Sequence, residues 1–202
     1  ASYWVPQGES VPQYQLVYLD GTTWKTQKIG KRSTDFTLSG TGTKKIPISR
    51  PQLMVGSQGD SASVYMVFRD VERGSKVSLA QASNLSNPKW TISDLTDDPV
   101  DEWEPSFDTD LWNASRVLDL FVQRAGQGDG ETTVTLPPQT VTVLEWMPST
   151  SGVRSESVRY DEFRRHFDLR DPFGRKVAAS RAPILSAGTA KRETVIAVSG
   201  VR

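Results

Sequence analysis

SRPQLMV at residues 49–55 and WEPSFDT at residues 103–109 read as two statements of one phrase. Each is followed by a short polar stretch and then an apolar run of strand character, SVYMVFRD at 63–70 and RVLDLFVQR at 116–124. Pro51 and Pro105 stand 54 positions apart. A weaker third copy comes near the end, where RAPILSA (181–187) runs into ETVIAVSG (193–200). Pro183 lies 78 positions beyond Pro105, so an insertion precedes this copy or it belongs to a different sheet. Short strands repeating at roughly 40–50 residues are the mark of a β-propeller or a related array. Each unit of such an array buries its sheet only against its neighbours. The expectation is an all-β chain of four-stranded antiparallel blades, a partial ring belonging to a larger assembly.

The local pattern divides the chain further. The opening, residues 1–13, is rich in proline and polar residues and reads as loop. Residues 14–30 read as a hairpin: QLVYL alternates, Asp20-Gly21 is the turn signal, and TWKTQKI alternates again. The second unit places strands at 51–55, 63–69, 76–82 and 90–95, with turns at SQGD, VERG and NLSNP. The third places them at 105–108, 116–123, 131–136 and 139–146, with turns at DLWNAS, AGQGDG and Pro137-Pro138. No long helix is expected before residue 150. Residues 1–147 thus hold about two and a half blades. Residues 148–202 read as a charged linker followed by a further partial blade, with 160–176 either a short helix or a polar linker.

Composition narrows the function. The 202 residues include 36% hydrophobic and 24% charged residues, enough for a core, with a mean hydropathy of −0.45. Basic and acidic residues balance at 24 each, which argues against nucleic acid as a general partner. No apolar run approaches the roughly 18 residues of a membrane span. The chain has no cysteine, so thiol nucleophiles and zinc–thiolate sites are excluded. His166 is the single histidine, which excludes a multi-histidine metal site within the chain. Six tryptophans and five tyrosines serve packing or offer flat faces for sugar rings.

The repeat also selects candidate site residues. Proline suits the first position of a strand, where no ladder hydrogen bond is lost. Arg50 and Glu104 precede the two prolines and so occupy equivalent places on adjacent units. An arginine there matches the carboxylate of a sugar acid, with Glu104 orienting it; alternatively the two residues form a salt bridge between blades. Tyr14 and Tyr18, in the first hairpin, are candidates for proton transfer beside a cation, or for strand packing. Trp103 and Trp112 offer stacking surface. Arg69 ends the second strand of its unit, with Gln123 as its counterpart in the next. Both are substrate-binding candidates, and the antiparallel order is expected to put them at the rim opposite Arg50. Asp108 and Asp110 fit either a calcium ion or turn capping, and GQGDGE (126–131) either calcium or a tight hairpin, which leaves calcium open as a cofactor.

LDGTTW (19–24) looks like a shortened Asp-box hairpin, keeping Asp20, Gly21 and Trp24. ISRPQLMV with VYMVFRDVERGSKVSLA (48–80) looks like one blade, and WEPSFDTDLW with LDLFVQRAGQGDGE (103–131) like the next. On these stretches residues 14–146 resemble the bacterial neuraminidase repeat (BNR-repeat) family of secreted β-propellers, in the subgroup that includes polysaccharide lyases. The resemblance implies the C-terminal blades of a seven-bladed ring and a secreted or periplasmic location. It also implies action on an acidic, uronate-containing polysaccharide or oligosaccharide by β-elimination, with Arg50 neutralising the uronate carboxylate and Tyr14 or Tyr18 moving the proton. The partners it implies are that polymer and the remaining blades or another chain. Lyases of this kind use histidine as well, and none lies in the matched region; Gln15 stands at a strand position that would suit one. Two other readings remain. One is a sialidase-like glycoside hydrolase, for which Glu104 and Asp108 are the best carboxylate pair. The other is a non-catalytic carbohydrate-binding or scaffold propeller.

Overall fold

The computed structural model describes residues 1–58, 61–130, 132–148, 179–182 and 191–196. They fall into two units, Ala1–Ser106 with Val122–Gln139, and Phe107–Phe121 with Thr140–Arg202. Antiparallel strands dominate both, and among the described residues no helix is long and apolar enough to cross a membrane.

The first unit begins with β1 (Ser2–Trp4), β2 (Gln13–Asp20) and β3 (Thr23–Ile29), in the sheet order β1-β2-β3. The expected hairpin is present: Asp20 pairs with Thr23, and Gly21 takes φ of +60° in the two-residue loop between them. The expected opening loop contains β1, which pairs Tyr3 with Tyr14. Three residues are too few to show alternation, and Tyr3 earns its place by packing edge-on against Tyr14 and Phe36.

The second sheet is a meander of β4 (Gln52–Gln58), β5 (Ser61–Asp70), β6 (Lys76–Ala82) and β7 (Thr91–Asp94) in chain order. All four strands and the VERG turn were legible from apolar runs bounded by turn residues. Asp70 accepts the Glu72 N–H at the start of the 3₁₀ turn Val71–Arg73, and Gly74 closes it with φ of +72°. Every residue from Ser63 to Asp70 is buried, so β5 is covered on both faces and reads as a continuous apolar run. Val64, Met66 and Phe68 on one of its faces form a single core with Tyr14, Leu16 and Ile29 of the first sheet. A buried ion pair, Arg32 Nε to Asp70 Oδ2 at 2.7 Å, ties the chain after β3 to the end of β5.

The second unit departs from the expected third repeat. Its described elements are α1 (Thr109–Ser115), β8 (Leu118–Val122), β9 (Val141–Trp146), β10 (Ala179–Ala182) and β11 (Lys191–Ile196), in a sheet ordered β10-β11-β9-β8. Residues 105–108 are not a strand; only Phe107 makes a bridge, to Leu120. The DLWNAS stretch, expected as a turn, is α1. Asp108 caps it by accepting the Leu111 N–H at 2.9 Å, and Trp112 buries its inner face. Residues 132–136 carry no strand, and β9 pairs with β11 instead. The expected helix or linker at 160–176, with His166, lies outside the described residues.

Asp119 on β8 is poorly placed for a carboxylate. Burial, then the charges of Glu145 and Asp108, push its pKa up to about 6, and its Oδ1 has no hydrogen-bond partner among the described residues. Its unfolded-state value is about 4. Below that pH the group is neutral in both states and folding carries no penalty. As pH rises through 6 the folded state must hold an unfavourable charge, so stability falls. Asp119→Asn is therefore expected to raise the denaturant midpoint at pH 7.5, with the gain vanishing by pH 4. Urea titrations at the two pH values check this, and an equal shift at both would contradict it.

Candidate functional site

The site is built from the segment that leads into β4. Pro47 O accepts the Val71 N–H at 2.8 Å, and Ser49 exchanges two bonds with Arg69: its N–H donates to Arg69 O at 2.9 Å, and its Oγ accepts the Arg69 N–H at 2.8 Å. These bonds lay residues 47–49 along the end of β5. Arg50 follows, exposed, and Pro51 restricts its backbone to extended conformations.

The Ser49–Arg50 peptide is held from both sides. Its carbonyl accepts from the Tyr14 hydroxyl at 3.0 Å, and its N–H donates to Glu104 Oε2 at 2.9 Å. The expected meeting of Arg50 and Glu104 thus occurs, but through the Arg50 backbone. The cation facing the Glu104 carboxylate is Arg69, with Nη2 at 3.9 Å from Oε1. Arg50 is exposed, and among the described residues its guanidinium makes no salt bridge.

Arg69 is not at the opposite rim. Antiparallel pairing of Gln52 with Val67 sets the end of β5 beside the start of β4, so Arg69 lies in the same corner as Glu104. It is 1% exposed and therefore out of reach of a polymer. Its guanidinium donates to Trp103 O at 3.2 Å and to Ile46 O at 3.2 and 3.3 Å, and faces Glu102 at 3.5 Å. Glu102 also pairs with Lys45 at 3.0 Å. Neither Glu102 nor Ser49 was foreseen. Glu102 lies in a turn after Asp101, whose φ is +48°, so no strand alternation in the sequence announces it.

The tyrosines are committed elsewhere. Tyr14 is 2% exposed; its hydroxyl lies 3.0 Å from both Ser49 O and Arg69 O, and burial raises its pKa well above the ordinary phenol range. It is a core residue with no path to a sugar. Tyr18 is half-buried, donates to Leu85 O at 3.1 Å and accepts from Gln27 at 2.8 Å. Trp103 and Trp112 are buried, so neither presents a stacking face. Gln123 is exposed and donates weakly to Gln139 O at 3.4 Å. Gln15 is buried in β2. The exposed tryptophans are Trp24 and Trp4. The orientation of Trp24 follows from register: Tyr14, Leu16 and Tyr18 point inward, so Leu19 and its cross-strand partner Trp24 point out.

Two of the calcium candidates, Asp108 and Asp129, are taken up by the protein itself. Asp108 caps α1. Asp129 Oδ1 accepts the Lys45 N–H at 2.8 Å, and Gly130 N–H donates to Thr43 O at 2.7 Å, which docks the 126–130 loop on residues 43–45. Among the described residues no group of three or more His, Cys, Asp or Glu is arranged to hold a metal. No protein-family model matches this chain, and no curated protein matches its sequence.

Proposed function

We propose that this chain contributes blades of a β-propeller, of the bacterial neuraminidase repeat kind, that bind an acidic, uronate-containing polysaccharide at the Arg50 corner. One observation carries the reading. Glu104 takes the Arg50 N–H and faces Arg69, while Arg50 itself is exposed and its guanidinium makes no salt bridge among the described residues. A guanidinium in that setting is suited to a planar carboxylate, and Glu104 keeps acceptor capacity for a neighbouring sugar hydroxyl. The four-stranded meander β4–β7, packed through one face against β1–β3, supports the blade reading. A secreted or periplasmic location is part of the same proposal, since such polymers lie outside the cytoplasm.

Cleavage by β-elimination is the second reading, supported by the likeness of residues 48–80 to a blade of the subgroup that includes polysaccharide lyases. It needs a proton acceptor beside the cation. Tyr14 and Tyr18 have given their hydroxyls to backbone carbonyls, so the acceptor in that reading is a group other than these two. A hydrolase using Glu104 with Asp108 is less favoured, because Asp108 is occupied as a helix cap.

The test is binding of the full chain to ulvan and to polyglucuronate, with ultraviolet absorbance followed for unsaturated uronate products. Arg50→Gln is expected to weaken binding about ten-fold or more, the size of a charge-assisted contact. The wild-type affinity is expected to fall with added salt. Unchanged affinity in Arg50→Gln would remove Arg50 from the site. Rising absorbance would decide for the lyase; binding without shortening of the polymer would decide for the binding module.

A further inference from the structure

We propose that Tyr14 is a positioning residue for Arg50, acting through the Ser49–Arg50 peptide; this rests on the binding role proposed for Arg50. The core would accept phenylalanine at position 14 on shape alone, since the ring packs against Phe68 at 4.8 Å and Tyr3 at 6.3 Å. A hydroxyl in so buried a place is unfavourable unless it is paired. It is paired, and with particular groups. The phenol has one proton for two carbonyls, each 3.0 Å away; Arg69 O already accepts the Ser49 N–H, and Ser49 O shares the Tyr14 proton with it. Ser49 is 0% exposed, and the Tyr14 hydroxyl supplies its carbonyl with a hydrogen bond 35 positions away in sequence.

That carbonyl belongs to the same rigid peptide plane as the Arg50 N–H. With the carbonyl held by Tyr14 and the N–H held by Glu104, the plane cannot rotate without losing one bond or the other. Pro51 restricts the other side of the Arg50 α-carbon. The arginine side chain therefore reaches solvent from a fixed root, and less freedom is lost when it closes on a carboxylate. Glu104 alone does not provide this, because its own side chain is half-exposed.

The experiment compares the full chain with Tyr14→Phe, first confirming by thermal melting that the variant is folded at the working temperature. Amide hydrogen exchange is read at Arg50, with Leu95, whose N–H donates to Val77 O, as the reference. Arg50 is expected to exchange about ten-fold faster in the variant, with Leu95 changed less than two-fold. Binding to an oligoglucuronate is then measured in a double-mutant cycle with Arg50→Gln. Tyr14→Phe is expected to cost about five-fold in affinity when Arg50 is present, near the value of one neutral hydrogen bond, and nothing when it is absent. An unchanged Arg50 exchange rate overturns the clamp while leaving the binding reading intact. An equal loss of affinity in both backgrounds overturns it too, because a general loosening of the core would act without Arg50. If the unaltered chain does not bind oligoglucuronate, the binding reading fails, and the clamp's role in binding fails with it.

Discussion

Arg69→Ala is expected to destabilise the first unit by about 3–5 kcal/mol, the range found when one partner of a buried charge network is removed. The guanidinium is held at 1% exposure by two backbone carbonyls and two carboxylates. Taking it away leaves Ile46 O and Trp103 O without these donors, and leaves Glu102, with a side chain 6% exposed, facing Lys45 alone. It also frees Glu104 to move, so the segment that presents Arg50 loses its register. Set against a typical domain stability of about 5–15 kcal/mol, such a loss is a large fraction of the whole. Arg69→Lys keeps the charge but has one nitrogen in place of a fork, so it is expected to recover only part of the loss. Guanidinium unfolding of the three proteins measures the difference. A cost below about 1 kcal/mol for Arg69→Ala would mean that carbonyl pairing elsewhere, and not this cation, holds the corner.

Arg69 also shows where sequence reasoning stops. An arginine at the end of VYMVFRD reads as a candidate to meet a substrate, because nothing local announces four acceptor groups arriving from residues 46, 102, 103 and 104. The hairpin at 14–30 and the four strands between 52 and 94 were legible because each is decided by neighbours in sequence: alternation, Asp20-Gly21, and the capped VERG turn. The third repeat was not, for two physical reasons. WEPSFDT resembles SRPQLMV, yet Asp108 sits where it can cap the following turn, and Trp112 gives that turn a buried face, so helix α1 replaces the turn. TVTL at 133–136 alternates well enough for a strand, but pairing is a choice among distant partners, and β9 pairs with residues 191–196 instead. The site was half legible in the same way. Arg50 and Glu104 do meet, but not as equivalent positions of two strands, since residues 105–108 form none. Which atoms meet, a backbone N–H and a carboxylate, depends on Tyr14 and Ser49 turning that peptide, and no spacing rule contains it.

Trp112→Ala separates packing from sugar stacking, and its expected cost is again large. The indole is 3% exposed, with the Arg116 guanidinium 5.8 Å from the ring. Helix α1 has only seven residues, too short to persist on propensity, so it depends on this side chain being buried. Truncation removes the ring and leaves a cavity, which together cost about 3–5 kcal/mol for a buried aromatic. Trp24→Ala is the matched comparison: at 70% exposure the indole contributes little to the core, and the expected change is within about 0.5 kcal/mol. Denaturant unfolding followed by far-ultraviolet circular dichroism gives both values. Polysaccharide affinity, corrected for the folded fraction, should be unaltered in Trp112→Ala, because a ring this deeply buried has no free face for a pyranose. A variant that keeps its stability but loses affinity would show the opposite, that the Trp112 indole meets the sugar in solution.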